Sequence, residues 1–266
     1  MVSNDPQFGK MGYSTSYQKG KTLYRKFILP LGSTGICIGS LYWLCMSPYS
    51  QLQGDFPYRG DTNEKLVAIT FDDGPNQPYT SQIASLLADY GIKATFFQPG
   101  ACIERYPEVT QELFGTGHVI GSHAYSHQFS KYLHLKSIQQ EIEQANAVFA
   151  KYLGVLPSLY RPPWLLRIPG SLAMVRSYSL QPVSGEFCHS LEVFQPDPAR
   201  IARGAVSKAK PGAFILFHDG FDAKGGNRAQ TVKAVKITIE HLSNAGYSFT
   251  TVDKLLDIPA YRPLHV

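Results

Sequence analysis

Short apolar runs alternate with segments of helical periodicity along most of this chain, and this alternation constrains its fold more than any other feature. The predicted strands are residues 66–71, 94–97, 118–121, 159–161, 181–184, 213–217 and 247–252. Between them, apolar side chains recur at helical spacing, as in the run from Ile138 to Phe149. The pattern predicts an α/β fold with a parallel sheet, but periodicity does not separate an open doubly wound sheet from a closed barrel.

Polar side chains follow four of these predicted strands directly. They are Asp72 and Asp73 after the first strand, His123 and His127 after the third, Arg161 at the fourth, and His218 and Asp219 after the sixth. In a parallel α/β fold, the carboxyl ends of the strands meet at one edge, where such folds bind their ligands. The sequence therefore predicts one site at that edge.

The residue types at this edge are typical of a catalytic metal site. Asp72 and Asp73 would repel one another unless a cation lies between or beside them, although Asp-Gly-Pro is also ordinary turn chemistry. His123 and His127 stand four residues apart, and on a helical turn such side chains point the same way. Two histidines with one carboxylate leave an open metal position for water.

His218 and Arg161 each allow two interpretations. His218 ends the most apolar strand, and it is either a rim residue or a general acid or base. Arg161 either caps its strand or pairs with a carboxylate.

Residues 64–257 resemble the polysaccharide deacetylases of carbohydrate esterase family 4, which share the NodB-like domain. The matching strings are TFDDGP (70–75), SHAYSH (122–127), RPPW (161–164), ILFHD (215–219) and GYSFTTVDKLL (246–256). TFDDGP matches the first family motif without a change, and the paired histidines make the combination highly specific. Gln128 stands where the family usually has proline.

The resemblance implies a distorted, TIM-barrel-like (β/α)7 barrel and metal-dependent hydrolysis of N-acetyl or O-acetyl groups on polysaccharides. It maps Asp73, His123 and His127 to the ligands of a divalent metal, usually zinc; Asp72 to the catalytic base; His218 to the catalytic acid; and Arg161 to the residue that orients Asp72. The backbone N–H of Trp164 would stabilise the oxyanion, and Leu216 would contact the substrate.

One family motif is altered. The usual Asp-Trp pair, which tunes the acid histidine and walls the acetyl pocket, is replaced within residues 185–198. Glu192 is the nearest carboxylate match, and it is predicted to contribute to the substrate pocket. Val193 or Phe194 would take the tryptophan position, and Asp197 is a competing carboxylate.

The N-terminal segment predicts a membrane anchor. Residues 1–26 carry five basic side chains against Asp5 alone, so this segment holds most of the net charge of +5. Residues 27–46 contain no charge, and twenty helical residues span about 30 Å, enough for a bilayer core. The positive-inside rule then predicts a cytoplasmic N-terminus and an extracytoplasmic catalytic domain. Secretion after signal-peptide cleavage is the alternative.

The predicted organisation is therefore a basic segment (1–26), an anchor helix (27–46), a linker (47–63), a catalytic domain (64–257) and a tail (258–266). With so little net charge left for residues 27–266, the sequence predicts no nucleic-acid partner. Cys102 and Cys188 are either a disulfide or two small buried residues.

The predicted function is deacetylation of an N-acetylated, or less readily an O-acetylated, glycan such as chitin or peptidoglycan. Two alternatives remain at this point. One is an amide or imide hydrolase of the same fold that acts on a small non-sugar substrate. The other is an inactive glycan-binding relative, which the altered Asp-Trp motif favours and the intact metal and acid–base residues oppose.

Overall fold

A single curled, mostly parallel sheet carries the site. The computed structural model describes residues 39–264. The strands are β1 (Leu66–Asp72), β2 (Thr95–Gln98), β3 (Val119–Ser122), β4 (Leu156–Pro157), β5 (Leu159–Tyr160), β6 (Gln181–Pro182), β7 (Glu186–Phe187), β8 (Phe214–His218), β9 (Ser248–Thr250) and β10 (Tyr261–Arg262). The main sheet runs in the order β6-β5-β3-β2-β1-β8-β7, with β9 also paired to β1, and all these pairings are parallel. β4 and β10 form a separate antiparallel pair.

Helices connect the strands, as the alternating pattern predicts. They are α1 (Tyr79–Asp89), α2 (Gly100–Arg105), α3 (Pro107–Gly115), α4 (Leu135–Leu153), α5 (Ser171–Ser177), α6 (Pro198–Lys208), α7 (Ala229–Asn244) and α8 (Val252–Leu255). Within the described residues, 3₁₀ helices cover Phe129–Leu133, Pro163–Leu165 and Glu192–Phe194. The longest helix, α4, ends at Gly154, whose left-handed backbone (φ 68°) suits glycine.

The side chains on the two faces of β1 lie in different surroundings, the apolar core on one side and the concave side of the sheet on the other. Val67, Ile69 and Phe71 belong to the large apolar core, which also contains buried side chains of the flanking helices. Successive side chains of a strand point to opposite faces, so Thr70 and Asp72 face the other way, toward the concave side of the sheet. This alternation directs the Asp72 carboxylate away from the main core.

The sheet is a curled half-barrel, which is consistent with the distorted (β/α)7 barrel of the resemblance but corrects its TIM-barrel-like closure. β6 and β7 stand at the two ends of the strand order, and within residues 39–264 they are not hydrogen-bonded to each other. Each has only two residues, and the chain passes from one to the other through residues 183–185. Arg161 occupies this gap, and its Nη2 donates to the Ser184 carbonyl at 2.7 Å. The structure is thus a curled half-barrel rather than a closed one.

The predicted transmembrane helix is also corrected. The basic segment and residues 27–38 of the apolar run lie outside the described residues. Residues 39–46 are helical, but eight residues span only about 12 Å. Among residues 39–264, no helix is both long enough and apolar enough to cross a bilayer.

The segment assigned by composition to a linker (47–63) packs against the domain. Phe56 is fully buried, and the guanidinium of Arg167 lies 4.3 Å from its ring centroid. Arg59 forms a bridge with Ala213 at the start of β8. These contacts attach the segment to the sheet that carries the site.

Candidate active site

The backbone of the loop after β1 directs the side chain of Asp73 toward the site. Asp73 has a left-handed backbone (φ 76°), which is uncommon for a residue other than glycine. Asp219 holds this turn, because its Oδ1 accepts the Gly74 N–H at 3.1 Å and its Oδ2 accepts the Thr80 hydroxyl at 2.6 Å. A Cβ at Gly74 would lie 1.9 Å from Asp219 Oδ2, so only glycine fits there. Burial raises the pKa of Asp219 to about 7.

The two histidines lie in a loop rather than on the helical turn that their spacing predicts. The backbone between them bends at Ala124 (φ 61°) and again at His127 (φ 53°). Glu141, buried on α4, stabilises this loop by accepting the N–H groups of Tyr125 and Ser126 at 3.2 and 2.6 Å. It also accepts the Ser126 hydroxyl at 2.8 Å and the Tyr132 hydroxyl at 3.1 Å.

Three predicted metal ligands meet at one point. Asp73 Oδ1 lies 3.4 Å from His123 Nε2 and 3.1 Å from His127 Nε2, and the three ligand atoms lie within 4.8 Å of one another. Each Nδ1 faces an acceptor, His123 the Arg161 carbonyl at 2.8 Å and His127 the Asp222 carboxylate at 2.9 Å. Both Nε2 atoms therefore face Asp73, and with the proton on Nδ1 each would offer its lone pair to a shared metal.

The chemistry of this trio fits a divalent metal. Asp73 Oδ1 is buried and has no hydrogen-bond donor among the described residues. Burial alone would raise the pKa of Asp73, but His127 and His123 outweigh burial and hold this pKa well below its ordinary value. The carboxyl is thus ionised, and an ionised oxygen with two imidazole nitrogens is a ligand set that zinc accepts.

Asp72 is held by a buried arginine. Arg161 Nη1 donates to Asp72 Oδ1 at 2.7 Å and to Thr70 Oγ1 at 2.9 Å. Arg161 has no exposed surface, and its guanidinium lies 4.0 Å from the Phe97 ring centroid. Arg161 also donates to the Ser184 carbonyl, so its guanidinium is fixed both by β1, through Thr70 and Asp72, and by the segment between β6 and β7. The Asp72 carboxylate is consequently fixed at the end of β1.

His218 stands beside Asp72 and is supported by Glu192. The two residues are register partners at the ends of β8 and β1. His218 Nδ1 lies 2.8 Å from Glu192 Oε2, and Glu192 also accepts the Thr231 hydroxyl. Burial alone would lower the pKa of His218, but the Glu192 carboxylate outweighs burial and raises it to about 9. His218 is therefore protonated at neutral pH, with Phe187 stacked against its ring.

The structure distinguishes between the two carboxylates that could replace the altered motif. Asp197 caps the N-terminus of α6 by accepting the N–H groups of Ala199 and Arg200. Glu192 contacts His218 and is 1% exposed, so it lies behind the histidine rather than on the substrate-facing surface. Phe194 is 77% exposed and does not close a pocket.

Trp164 and Leu216, the other two predicted substrate residues, differ in their surroundings. Trp164 has a left-handed backbone (φ 54°), and its ring centroid lies 4.2 Å from that of His127. Its backbone N–H has no hydrogen-bond acceptor within residues 39–264. Leu216 is fully buried in an apolar cluster with Phe56 and Leu165, so its side chain does not line the open site.

Sequence comparison identifies the family. The sequence model of the polysaccharide deacetylases matches residues 59–183. A peptidoglycan-N-acetylglucosamine deacetylase of Bacillus cereus is 33% identical over 195 residues, which cover 73% of this chain and 89% of the relative. The chain belongs to the polysaccharide deacetylase family.

A second relative and a solved structure agree with this membership. A chitooligosaccharide deacetylase of Azorhizobium caulinodans is 28% identical over 195 residues, covering 70% of this chain and 92% of the relative. A peptidoglycan N-acetylglucosamine deacetylase crystallised with a substituted N-oxidanyl-benzamide superposes with a TM-score of 0.72 at 26% identity, covering 78% of this chain and 95% of that one. The predicted enzyme class, a polysaccharide deacetylase that hydrolyses non-peptide carbon–nitrogen bonds, is confirmed.

Sequence reasoning about this polysaccharide deacetylase missed three supporting carboxylates. Asp219 was named only as a strand-end residue, and Glu141 and Asp222 were not singled out. Glu141 shows one signal, a charged residue among the buried positions of an amphipathic helix. Asp222 lies 95 residues from the histidine that it contacts, so no local pattern connects the two.

Proposed function

We propose that the chain removes the acetyl group from N-acetylglucosamine-type units of peptidoglycan or a chitin-like glycan in a metal-dependent hydrolysis. One observation carries the proposal. The Asp73, His123 and His127 trio adjoins a fixed carboxylate, Asp72, and a protonated imidazole, His218. Peptidoglycan and chitooligosaccharide are the substrates in the relatives' names, and they support this substrate class.

Asp73, His123 and His127 would hold the divalent metal, for which we propose zinc. A zinc ion bound by such a trio lowers the pKa of water and polarises an acetyl carbonyl. The remaining tasks belong to the side chains of the protein.

Asp72 is the proposed general base. Its carboxylate, fixed by Arg161 at 2.7 Å, accepts the proton that water loses as it attacks the acetyl carbon. The backbone N–H of Trp164, which has no acceptor among residues 39–264, is a suitable donor for the oxygen that gains negative charge in the tetrahedral transition state.

His218 is the proposed general acid. Its pKa of about 9 keeps it protonated at neutral pH, so it has a proton to donate to the leaving sugar nitrogen. Departure as a neutral amine gives acetate and a free amino sugar. The Glu192 carboxylate accepts the hydrogen bond from Nδ1 of His218 and thereby leaves Nε2 as the nitrogen that donates the proton.

The same pair opposes the inactive glycan-binding alternative. The altered motif lacks aspartate, but Glu192 still brings a buried carboxylate to within 2.8 Å of His218. A buried ion pair of this kind has no evident role in a site that only binds sugar.

The test is acetate release from chitooligosaccharides, peptidoglycan fragments and acetylxylan by the full chain, after chelation and after zinc addition. We expect release from the first two substrates only with metal. Asp72→Asn should lower kcat by about 10²–10⁴-fold. Asp197→Asn, which keeps a helix cap, serves as the control and should retain activity. Release that survives exhaustive chelation would exclude the metal mechanism, and release only from acetylxylan would exclude the proposed substrate.

The proposed substrates lie outside the cytoplasm, and we propose the same location for the catalytic domain. Protease protection of residues 64–257 in intact cells would contradict that location.

A further inference from the structure

The loop after β8 brings one residue to two of the three metal ligands. Asp222 Oδ1 lies 2.9 Å from His127 Nδ1, and the Asp222 backbone N–H donates to Asp73 Oδ2 at 3.1 Å. The side chain and the main chain of Asp222 thus contact different ligands. The third ligand, His123, has its Nδ1 against a neutral carbonyl instead.

The two contacts have different chemical consequences. A carboxylate that accepts the Nδ1–H of a histidine fixes the tautomer with the proton on that nitrogen, and leaves the Nε2 lone pair for a metal. It also makes the imidazole a stronger base, and therefore a stronger ligand. The main-chain N–H engages Asp73 Oδ2 and leaves Oδ1, the atom nearest both histidines, without a donor.

The loop conformation keeps Asp222 in this position. Asp222 and Ala223 both have left-handed backbones, with φ values of 53° and 54°. Two consecutive residues of this kind are unusual outside glycine, so other contacts must stabilise them. Arg105 Nη1 donates to the Ala223 carbonyl at 3.0 Å, and the Cys102 thiol lies 3.6 Å from the same oxygen. The side chain of Asp222 is 33% exposed, so it reaches His127 from the rim.

We propose that Asp222 is a positioning residue of the metal centre, which orients His127 through Nδ1 and Asp73 through its own backbone N–H. The inference rests on the proposed metal-binding function of Asp73, His123 and His127. It adds a fourth residue that no family motif in the chain contains, and this residue acts on the metal only through its ligands.

Zinc affinity, measured by competition with a chromophoric chelator, tests the proposal on the full chain without any activity assay. We expect Asp222→Ala to weaken zinc binding by about 10–100-fold. Asp222→Asn keeps an acceptor for Nδ1 and suits the left-handed backbone, so we expect a smaller loss. The Co²⁺ absorption spectrum should change in the alanine variant, because the imidazole of His127 becomes free to rotate.

Asp257→Asn is the matched control. Asp257 is exposed, whereas Asp222 is half-buried, but it shares the left-handed backbone (φ 51°), and its substitution should leave zinc affinity unchanged. If Asp222→Ala fails to fold by circular dichroism, Asp222→Gly decides, because glycine suits the left-handed backbone and also removes the acceptor. A variant that folds and binds zinc within twofold of the unchanged chain overturns the role of Asp222 alone. Failure of the unchanged chain to bind zinc overturns the metal site and this inference with it.

Discussion

Replacing Glu192 by glutamine should move the alkaline limit of activity. His218 must be protonated to donate to the leaving nitrogen, so activity is lost as pH rises through its pKa. Burial, the largest single influence, lowers that pKa, and the Glu192 carboxylate, 2.8 Å from Nδ1, is the largest of the influences that raise it to about 9, ahead of Asp73 and Asp72. Glutamine preserves the size of the side chain but removes the charge, and burial is then no longer outweighed by Glu192.

The size of the effect follows from these values. A rise from 6.5 to about 9 corresponds to roughly 3 kcal/mol of differential interaction between the two protonation states. We expect the pKa of His218 in Glu192→Gln to fall toward its ordinary value of 6.5, because burial is then opposed only by the charges of Asp73 and Asp72. At a pKa of 6.5 the protonated fraction at pH 8 drops from about 0.9 to about 0.03, so kcat/KM falls by up to roughly thirtyfold. Near pH 6 the loss should be much smaller.

Stability should change in the same direction. The folded-state pKa of His218 lies above its unfolded value. The His218–Glu192 pair therefore contributes its full stabilisation of the folded state below pH 6.5, and this stabilisation is lost as pH rises through about 9. The unchanged chain should therefore exceed Glu192→Gln in free energy of unfolding at pH 6 by more than at pH 9.5.

The assay is kcat/KM for acetate release across pH 5–10, with an NMR titration of His218 in parallel. Both proteins carry the same metal, so its field cancels in the comparison. Glu186→Gln is the matched control, because Glu186 is a buried glutamate on neighbouring β7 whose carboxylate accepts from Tyr49 instead. An alkaline limit within half a unit of the original in Glu192→Gln would refute the reasoning.

Three further results are expected. Arg161→Met leaves the Asp72 carboxylate buried without its partner, and should lower the free energy of unfolding in urea by about 3–5 kcal/mol. Little change in the free energy of unfolding would show that the buried Asp72 carboxylate does not need the ion pair with Arg161. Glu141→Gln presents an amide N–H₂ to donors, and should cost about 1.5–3 kcal/mol by the same measurement; full stability would contradict the account of the histidine loop. Zinc at 100 times the Kd of the unchanged chain should stabilise that chain by about 2.7 kcal/mol in thermal unfolding, and an equal gain in His123→Ala at the same zinc concentration would exclude His123 as a ligand.

Strand positions were largely predictable, because the central strands β1, β2, β3 and β8 bury short apolar runs whose period differs from that of the helices. The β7 strand was missed, since Glu186 and Phe187 make no apolar run and pair only with β8. Closure of the sheet could not be predicted either, because the two-residue strands at each end of the order do not pair with each other. The hydrophobic periodicity of a sequence indicates which residues are buried, but it does not indicate whether the sheet closes into a barrel.

The residues that meet at the site could be named from the chain because they follow strand ends, and parallel strands bring their carboxyl ends to one edge. How they meet depends on contacts between distant segments. Arg161 reaches Asp72 across 89 residues, and Glu192 reaches His218 across 26. The sequence alone thus determined the residue types, the edge and the family. Only the tertiary structure decided which carboxylate supports which histidine, because side-chain contacts across long loops depend on backbone bends, such as those at Asp73, His127 and Asp222, that local composition does not specify.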